Sequence, residues 1–184
     1  KIETEEDLRK IGEAELAQAA PEESEEEPQE EPEQVPVQES SAAPLLTFAE
    51  NSKLMWPVSG DVILNYSMDK SIYFATLNQY KYHPAIVISA EPGTEVWCAA
   101  HGKVTQIKVD EETGTTLSMD LGSGYEAVYG QLKELAVKEG DMVNAGALLG
   151  YVSEPTKYYT LEGSNLYFQL LRDGEPVNPM NYLE

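Results

Sequence analysis

Only a few side chains in this sequence could bind a metal ion or act as a nucleophile. The 184 residues contain one cysteine, Cys98, and two histidines, His83 and His101. A single thiol cannot form an intramolecular disulfide or a cysteine metal cluster, and a free cysteine commonly packs as a small apolar residue. We therefore expect Cys98 to be buried in a strand and His101, which precedes Gly102, to lie in an exposed turn. His83, which precedes Pro84, remains as a candidate functional residue, either as a hydrogen-bonding group or as a weak metal contact.

The charge of the chain excludes two large classes of partner. The formal net charge is −21, and residues 1–50 alone hold 16 acidic and 3 basic side chains. An acidic surface repels the phosphates of nucleic acids and the headgroups of anionic lipids. We expect no nucleic-acid binding, and membrane contact only through an anchor that is absent from this chain.

Residues 1–50 differ sharply in composition from the rest. Leu8, Ile11 and Leu16 lie roughly on one face, so a short helix could form at 4–20. The Glu/Pro-rich stretch that follows has almost nothing to bury, which is typical of a disordered, extended linker. Its alternative role is that of an acidic docking segment. Residues 51–184 are predicted to form the folded domain.

The folded part shows the pattern of an all-β protein. Apolar and polar residues alternate or cluster in short runs at 103–109, 115–121, 125–129 and 165–171, with turn residues between them. No helical pattern of convincing length follows residue 50. The spacing of these runs predicts an antiparallel β-sandwich or open barrel.

Three stretches, in the same order, carry a family resemblance. They are 83–104, which ends in Ala-Ala-His-Gly-Lys-Val; 124–150, which begins Gly-Tyr-Glu-Ala-Val-Tyr; and 165–183, which includes Asn-Leu-Tyr-Phe-Gln-Leu and Val-Asn-Pro. Together they resemble the LytM/lysostaphin-type zinc metallopeptidases. The resemblance covers about residues 56–183 and implies the duplicated hybrid motif fold of that family.

The same resemblance places five catalytic positions in this sequence. The family's zinc ligands correspond to His83, Val87 and Tyr167, and its two other active-site histidines correspond to Gln131 and Asn165. Valine has no lone pair for a cation, and a catalytic zinc needs three protein ligands. Neither amide titrates near neutral pH, so no general base is left. The sequence predicts a degenerate, non-catalytic member without a metal or cofactor.

The replacements suggest a binding surface. Asn, Gln and Tyr are neutral hydrogen-bonding groups, and tyrosine rings contribute strongly to binding energy in interfaces. We expect the former catalytic groove to bind a protein of the cell envelope or peptidoglycan, although several of the tyrosines could equally be core residues. The expected groove residues are His83, Tyr73, Tyr80, Tyr82, Gln131, Tyr158, Tyr159, Asn165 and Tyr167.

Residues 65–80 are similar to the stage II sporulation protein Q subgroup of endospore-forming Gram-positive bacteria. That resemblance implies an extracytoplasmic domain anchored by a single N-terminal transmembrane helix, with residues 1–50 as a spacer. It also implies a role in binding a partner across the intermembrane space.

Two other functions remain as alternatives. One is an active zinc endopeptidase of peptidoglycan that recruits unusual ligands, which stoichiometric zinc in the purified protein would reveal. The other is a carrier module, because 137–150 also looks like the repeat of lipoyl and biotinyl domains. The predicted hairpin turns present no lysine for such a modification.

Overall fold

The computed structural model describes residues 45–184. The predicted helix at 4–20 and all but the last few residues of the predicted linker lie outside the described residues. The described part contains twelve strands and one short helical turn. The strands are β1 (Val62–Leu64), β2 (Ser67–Phe74), β3 (Gln79–His83), β4 (Ile86–Ser89), β5 (Glu95–Trp97), β6 (Gly102–Asp110), β7 (Gly114–Gly122), β8 (Tyr125–Lys133), β9 (Met142–Val143), β10 (Leu148–Val152), β11 (Asn165–Arg172) and β12 (Glu175–Val177), and a 3-10 helix spans Pro179–Asn181.

The all-β antiparallel class is confirmed. Ten strands form one sheet whose main path runs β1-β4-β11-β8-β7-β6-β9, with β12 beside β11 and β10 beside β5 and β8. The four runs predicted from the sequence correspond to β6, β7, β8 and β11. Between residues 45 and 184, no helix has the length and hydropathy needed to cross a membrane.

The main core lies under the central strands of the sheet. Strand β8 has neighbours on both sides, and seven of its nine residues are buried. Tyr129 and Phe168 pack together there with ring centroids 5.2 Å apart. The Tyr129 hydroxyl is also bound, because the backbone N–H of Ala99 donates to it over 2.9 Å. A polar tip on a buried ring needs such a partner.

The β2–β3 hairpin forms a separate two-stranded sheet. A second, smaller core cluster contains Phe74 of this hairpin with Ala85, Val87, Tyr159 and Tyr167. This cluster attaches the hairpin to the strands that carry the predicted site.

The chain packs on the domain before the predicted boundary at residue 51. Phe48 is buried against Tyr125, with ring centroids 5.0 Å apart, and its backbone N–H donates to the carbonyl of Leu121. The folded domain therefore includes residues that the composition assigned to the linker.

Strand β6 is only partly covered at its outer edge. Strand β9 pairs with it at Gly102 and Lys103, while the later residues have a neighbouring strand only on the β7 side. The backbone N–H of Ile107 donates instead to a carboxylate oxygen of Glu139 over 2.7 Å. Val109, two residues further along, is 83% exposed.

Cys98 is fully buried, as predicted, but it lies directly after β5 and not within a strand. Its thiol donates to the carbonyl of Ala100 over 2.9 Å, and burial raises its pKa to about 11. His101 is only partly exposed, rather than an open turn residue, and its ring contacts the Asn144 side chain at 3.0 Å.

Candidate functional site

A groove of about 450 Å³ lies over one face of four neighbouring strands, β6, β7, β8 and β11. One row of paired residues crosses its floor: Gln106 pairs with Ser118, Ser118 with Val128, and Val128 with Gln169. Because side chains alternate along a strand, every second residue of each strand points to this face. The floor is therefore mostly polar.

Charged groups of both signs line the groove. Lys81 at one wall and Glu112 in the β6–β7 turn form an ion pair of 3.0 Å. Asp110 accepts hydrogen bonds from the backbone N–H groups of Thr113 and Glu112, and these bonds lower its pKa. Lys108 lies on the same wall. The turn is thus held in shape by its own carboxylate.

The five predicted catalytic positions come together beside this groove. Tyr167 on β11 pairs with Val87 on β4, and the rings of Tyr167 and His83 have centroids 6.1 Å apart. The side-chain amide of Gln131 donates to the carbonyl oxygen of the Asn165 side chain over 3.3 Å. Strands β3, β4, β8 and β11 each contribute at least one of these residues.

Gln131 and Asn165 are fully buried and bonded to surrounding backbone. The amide oxygen of Gln131 accepts from the backbone N–H of Thr156 at 3.1 Å, and the Asn165 amide donates to the Gly163 carbonyl at 2.7 Å. The side-chain amides of Gln131 and Asn165 therefore hold the loop that follows β10 in place.

Gln131 also has an uncommon backbone conformation, with φ of 63°. Its N–H donates to the carbonyl of Thr113 over 2.6 Å, which brings the β6–β7 turn onto β8. A Cβ on the preceding Gly130 would lie only 3.0 Å from the Thr113 Cβ, so a larger residue there would require Thr113 to shift by a few tenths of an ångström. The strained position is held by the turn on one side and the amide contacts on the other.

His83 is 2% exposed and packs edge-on against Phe74, with ring centroids 5.2 Å apart. Its Nδ1 lies 3.2 Å from the carbonyl oxygen of Asn65, so Nδ1 carries the proton. Burial lowers the pKa of this imidazole, and the Asn65 contact opposes that shift only in part. His83 is therefore a neutral ring at neutral pH.

Tyr167 forms the part of the site that reaches the groove. It is 8% exposed, lines the groove, and its hydroxyl donates to the Gln169 side chain at 3.4 Å. Burial raises the pKa of its phenol, so the hydroxyl keeps its proton.

Residues 81–179 match the model of peptidase family M23, which is more than half of the chain. This chain belongs to peptidase family M23. Its sequence is 26% identical over 109 residues to stage II sporulation protein Q of Bacillus subtilis, covering 58% of this chain and 38% of that protein. It is 28% identical over 136 residues to the murein hydrolase activator EnvC of Escherichia coli, covering 73% of this chain and 30% of that protein. The chain thus spans less than half the length of either relative.

Solved structures share the fold of this M23 domain. The SpoIIQ–SpoIIIAH pore forming complex aligns with a TM-score of 0.61 at 21% identity, over 72% of this chain and 92% of that chain. A zinc containing peptidase from Vibrio cholerae aligns with a TM-score of 0.59 at 21% identity, over 68% of this chain and 38% of that chain. The expected duplicated hybrid motif fold and the resemblance to the stage II sporulation protein Q subgroup are confirmed.

Four of the six tyrosines expected to line the groove of the M23 domain lie outside it, in two different environments. Tyr73, Tyr80 and Tyr82 lie on the β2–β3 hairpin and are 47%, 73% and 57% exposed. Tyr158 is partly buried, with the Lys157 amine 5.2 Å from its ring centroid. None of these four rings contributes to the cavity over the sheet.

Three more of the expected groove residues lie outside the cavity because they are fully buried. Tyr159 is 0% exposed and belongs to the second core cluster, so its ring is a core group. Gln131 and Asn165 are also 0% exposed and face inward, so they cannot contact a ligand directly. Of the expected groove residues, His83 and Tyr167 are the two that line the cavity.

The polar residues that line the groove floor of the M23 domain were missed. Gln106, Lys108 and Asp110 follow one another at every second position of β6, and Gln169 is two residues after Tyr167 on β11. The alternation within 103–109 was visible as a strand signal. The polar residues on one face of that predicted strand were the signal that could have located the groove.

Proposed function

We propose that this M23 domain is a non-catalytic module of the cell envelope that binds a protein partner or peptidoglycan. The observation that carries the proposal is the buried amide pair Gln131–Asn165, which occupies the two histidine positions of the resemblance. These side chains bond to each other and to nearby backbone, so they serve the fold at the positions where a peptidase needs proton-transfer groups.

The donor set at the expected ligand positions does not fit zinc. His83 offers one nitrogen, Val87 offers no donor atom, and the Tyr167 phenol stays protonated because burial raises its pKa. Catalytic zinc requires three protein ligands. Within residues 45–184, no three His, Cys, Asp or Glu side chains form a group suited to a metal ion. The residues at these positions therefore do not support a zinc-dependent reaction.

The β2–β3 hairpin is the proposed contact surface for a protein partner. Tyr73 and Tyr80 pair across the two strands with ring centroids 5.3 Å apart, and Tyr82 is exposed beside them. The Tyr73 hydroxyl donates to the Asn78 side chain at 2.9 Å, which orients the ring. Pre-oriented tyrosines lose little entropy on binding and commonly dominate interface energies.

One solved neighbour supports a protein rather than a polysaccharide as the partner. It is the complex of SpoIIQ with SpoIIIAH, in which the M23-like chain associates with another protein. We also propose, with this likeness as support, that the domain lies outside the cytoplasm and is tethered by a single N-terminal transmembrane helix. The alternative ligand is peptidoglycan, bound at the groove, and the experiments below distinguish it from a protein partner.

The catalytic part of the proposal is tested by metal analysis and by incubation with purified sacculi. We expect less than about 0.1 zinc per chain in protein purified without chelators, because one histidine cannot hold the ion. We also expect no release of soluble peptidoglycan fragments. Stoichiometric zinc or fragment release would establish the peptidase alternative. Co-sedimentation with sacculi, without cleavage, would instead identify peptidoglycan as the ligand.

The binding part is tested with a photo-crosslinking residue at position 80 in cells that make the intact protein. Position 180 is the matched control, because Met180 is 40% exposed in the 3-10 helix. We expect a discrete crosslinked protein from position 80 and none from position 180. Equal crosslinking from both positions, or none from position 80, would contradict the hairpin as the contact surface.

A further inference from the structure

Both tryptophans of the chain lie at the surface. The sequence contains two, Trp56 and Trp97, and they are 37% and 36% exposed. They line a single cleft of about 430 Å³ together with Val58, Ser59 and Gly60. Tryptophan is highly buried on average and supplies large apolar area to binding sites. Both tryptophan side chains of the protein therefore line one solvent-accessible cleft.

The cleft is built on fixed backbone. The N–H of Trp97 donates to the carbonyl of Pro57 over 2.8 Å, and the N–H of Met55 donates to the carbonyl of Ala99 over 2.9 Å. These two bonds tie the segment that carries Trp56 to the segment that carries Trp97. A site whose walls are already in place loses little entropy when a ligand binds.

Gly60 lets the loop at the other end of the cleft pack directly against strand β4. A Cβ at residue 60 would overlap the carbonyl oxygen of Ser89, so the loop approaches β4 more closely than any other residue type allows. The neighbouring carbonyl of Asp61 accepts from the N–H of Ser89 over 2.8 Å. The loop is therefore anchored on both sides of the cleft.

The lining determines the chemistry of the ligand. None of the five lining residues is charged, and their polar side-chain groups are the Ser59 hydroxyl and the two indole N–H groups. A net charge of −21 disfavours anionic ligands, and a cation would have only the indole faces to bind it, because the lining holds no carboxylate. Each indole keeps about a third of its surface in water. A matching ligand is uncharged, with one apolar face and a hydrated polar edge.

We propose that this tryptophan cleft binds the uncharged pyranose rings of a glycan. The C–H face of the sugar stacks on the indoles, and its hydroxyl groups reach the Ser59 hydroxyl, the adjoining backbone and water. The site is separate from the groove over the sheet, because the two share no lining residue. The proposal does not depend on what the groove or the hairpin binds.

The chain carries a built-in reporter for this site, since Trp56 and Trp97 are its only tryptophans. Tryptophan emission, excited at the red edge where tyrosine does not absorb, is recorded while the full chain is titrated with a neutral chito-oligosaccharide of N-acetylglucosamine. We expect a saturable change in emission. Saturation-transfer NMR on the unmodified chain should show transfer to the sugar ring protons, and this measurement needs no substitution.

Variants then assign the signal to the cleft. Binding by the variants is measured with the same saturation-transfer NMR experiment. Trp56→Ala and Trp97→Ala should each weaken glycan binding about tenfold, because each removes one stacking surface. Trp56→Phe should retain part of the affinity and guards against misfolding. Leu161→Ala, which removes an exposed apolar side chain in the loop after β10, is the matched control and should bind within about twofold of the unmodified chain.

Two results would overturn the proposal. One is the absence of both a saturable emission change and NMR transfer with the oligosaccharide. The other is a saturable response to choline, to vesicles of phosphatidylcholine or to a proline-rich peptide in place of the sugar. A failure here leaves the zinc and crosslinking results for the proposed function unaffected, because those experiments address different residues. Sacculi contain glycan strands, so co-sedimentation is also measured with Trp56→Ala: its loss would assign sacculus binding to the cleft, and its retention would assign it to another surface.

Discussion

Replacing Gln131 with alanine should destabilise the domain strongly, although the corresponding position in the resemblance is catalytic. The substitution removes the bond to the Asn165 side chain and the bond from the Thr156 backbone N–H, at 3.3 and 3.1 Å. Gln131 is 0% exposed, so water cannot take its place without opening the loop. Each buried polar group that loses its partner costs about 1–3 kcal/mol. Together they predict a loss of about 3 kcal/mol in the free energy of unfolding.

The assay is urea unfolding followed by circular dichroism, with the slope of the transition compared between variants. Gln169→Ala is the matched control. Gln169 lies on the groove floor and accepts only a 3.4 Å contact from the Tyr167 hydroxyl, which groove water can replace. We expect the control to lose less than about 1 kcal/mol. A Gln131→Ala loss of less than about 1 kcal/mol would refute the view that this amide serves the fold.

Three more predictions follow from buried groups. Burial lowers the pKa of His83 below its usual 6.5, so the unfolded chain takes up a proton more readily than the folded chain. The free energy of unfolding should therefore fall as the pH drops below about 6.5. Urea unfolding across this pH range should show that loss in the unmodified chain and not in His83→Phe. Cys98, with a thiol pKa of about 11 and no exposed surface, should react with a thiol reagent only after denaturation; rapid labelling of the folded protein would contradict its placement. Tyr129→Phe should cost about 1–3 kcal/mol of unfolding free energy, since the buried N–H of Ala99 loses its 2.9 Å acceptor, and an unchanged urea midpoint would show that this bond contributes nothing.

The strands could be predicted from local patterns, and the convergence of the site from the family resemblance. Alternation located β6 and β7, and the order of the three motifs placed His83, Val87, Gln131, Asn165 and Tyr167 close together. Motif order carries this information because a family resemblance brings the strand order with it. The prediction therefore needed no knowledge of any single contact.

The environments of individual side chains could not be predicted in the same way. Tyr158 and Tyr159 are adjacent in sequence, yet Tyr159 is the one that packs fully beneath the hairpin. Which of two neighbouring rings is buried depends on the path of the loop, and Gln131 fixes that path through Thr156, 25 residues away. Such long-range contacts leave no trace in local periodicity.

The carboxylate of Glu139 at the outer edge of β6 has a consequence for self-association. An open strand edge is a template on which a strand of a second molecule can assemble. At Ile107 the outward N–H is already bound, and an incoming strand would have to displace that 2.7 Å bond. Exposed Val109 next to it would otherwise favour such pairing. One glutamate thereby helps the domain to remain unaggregated at high local concentration.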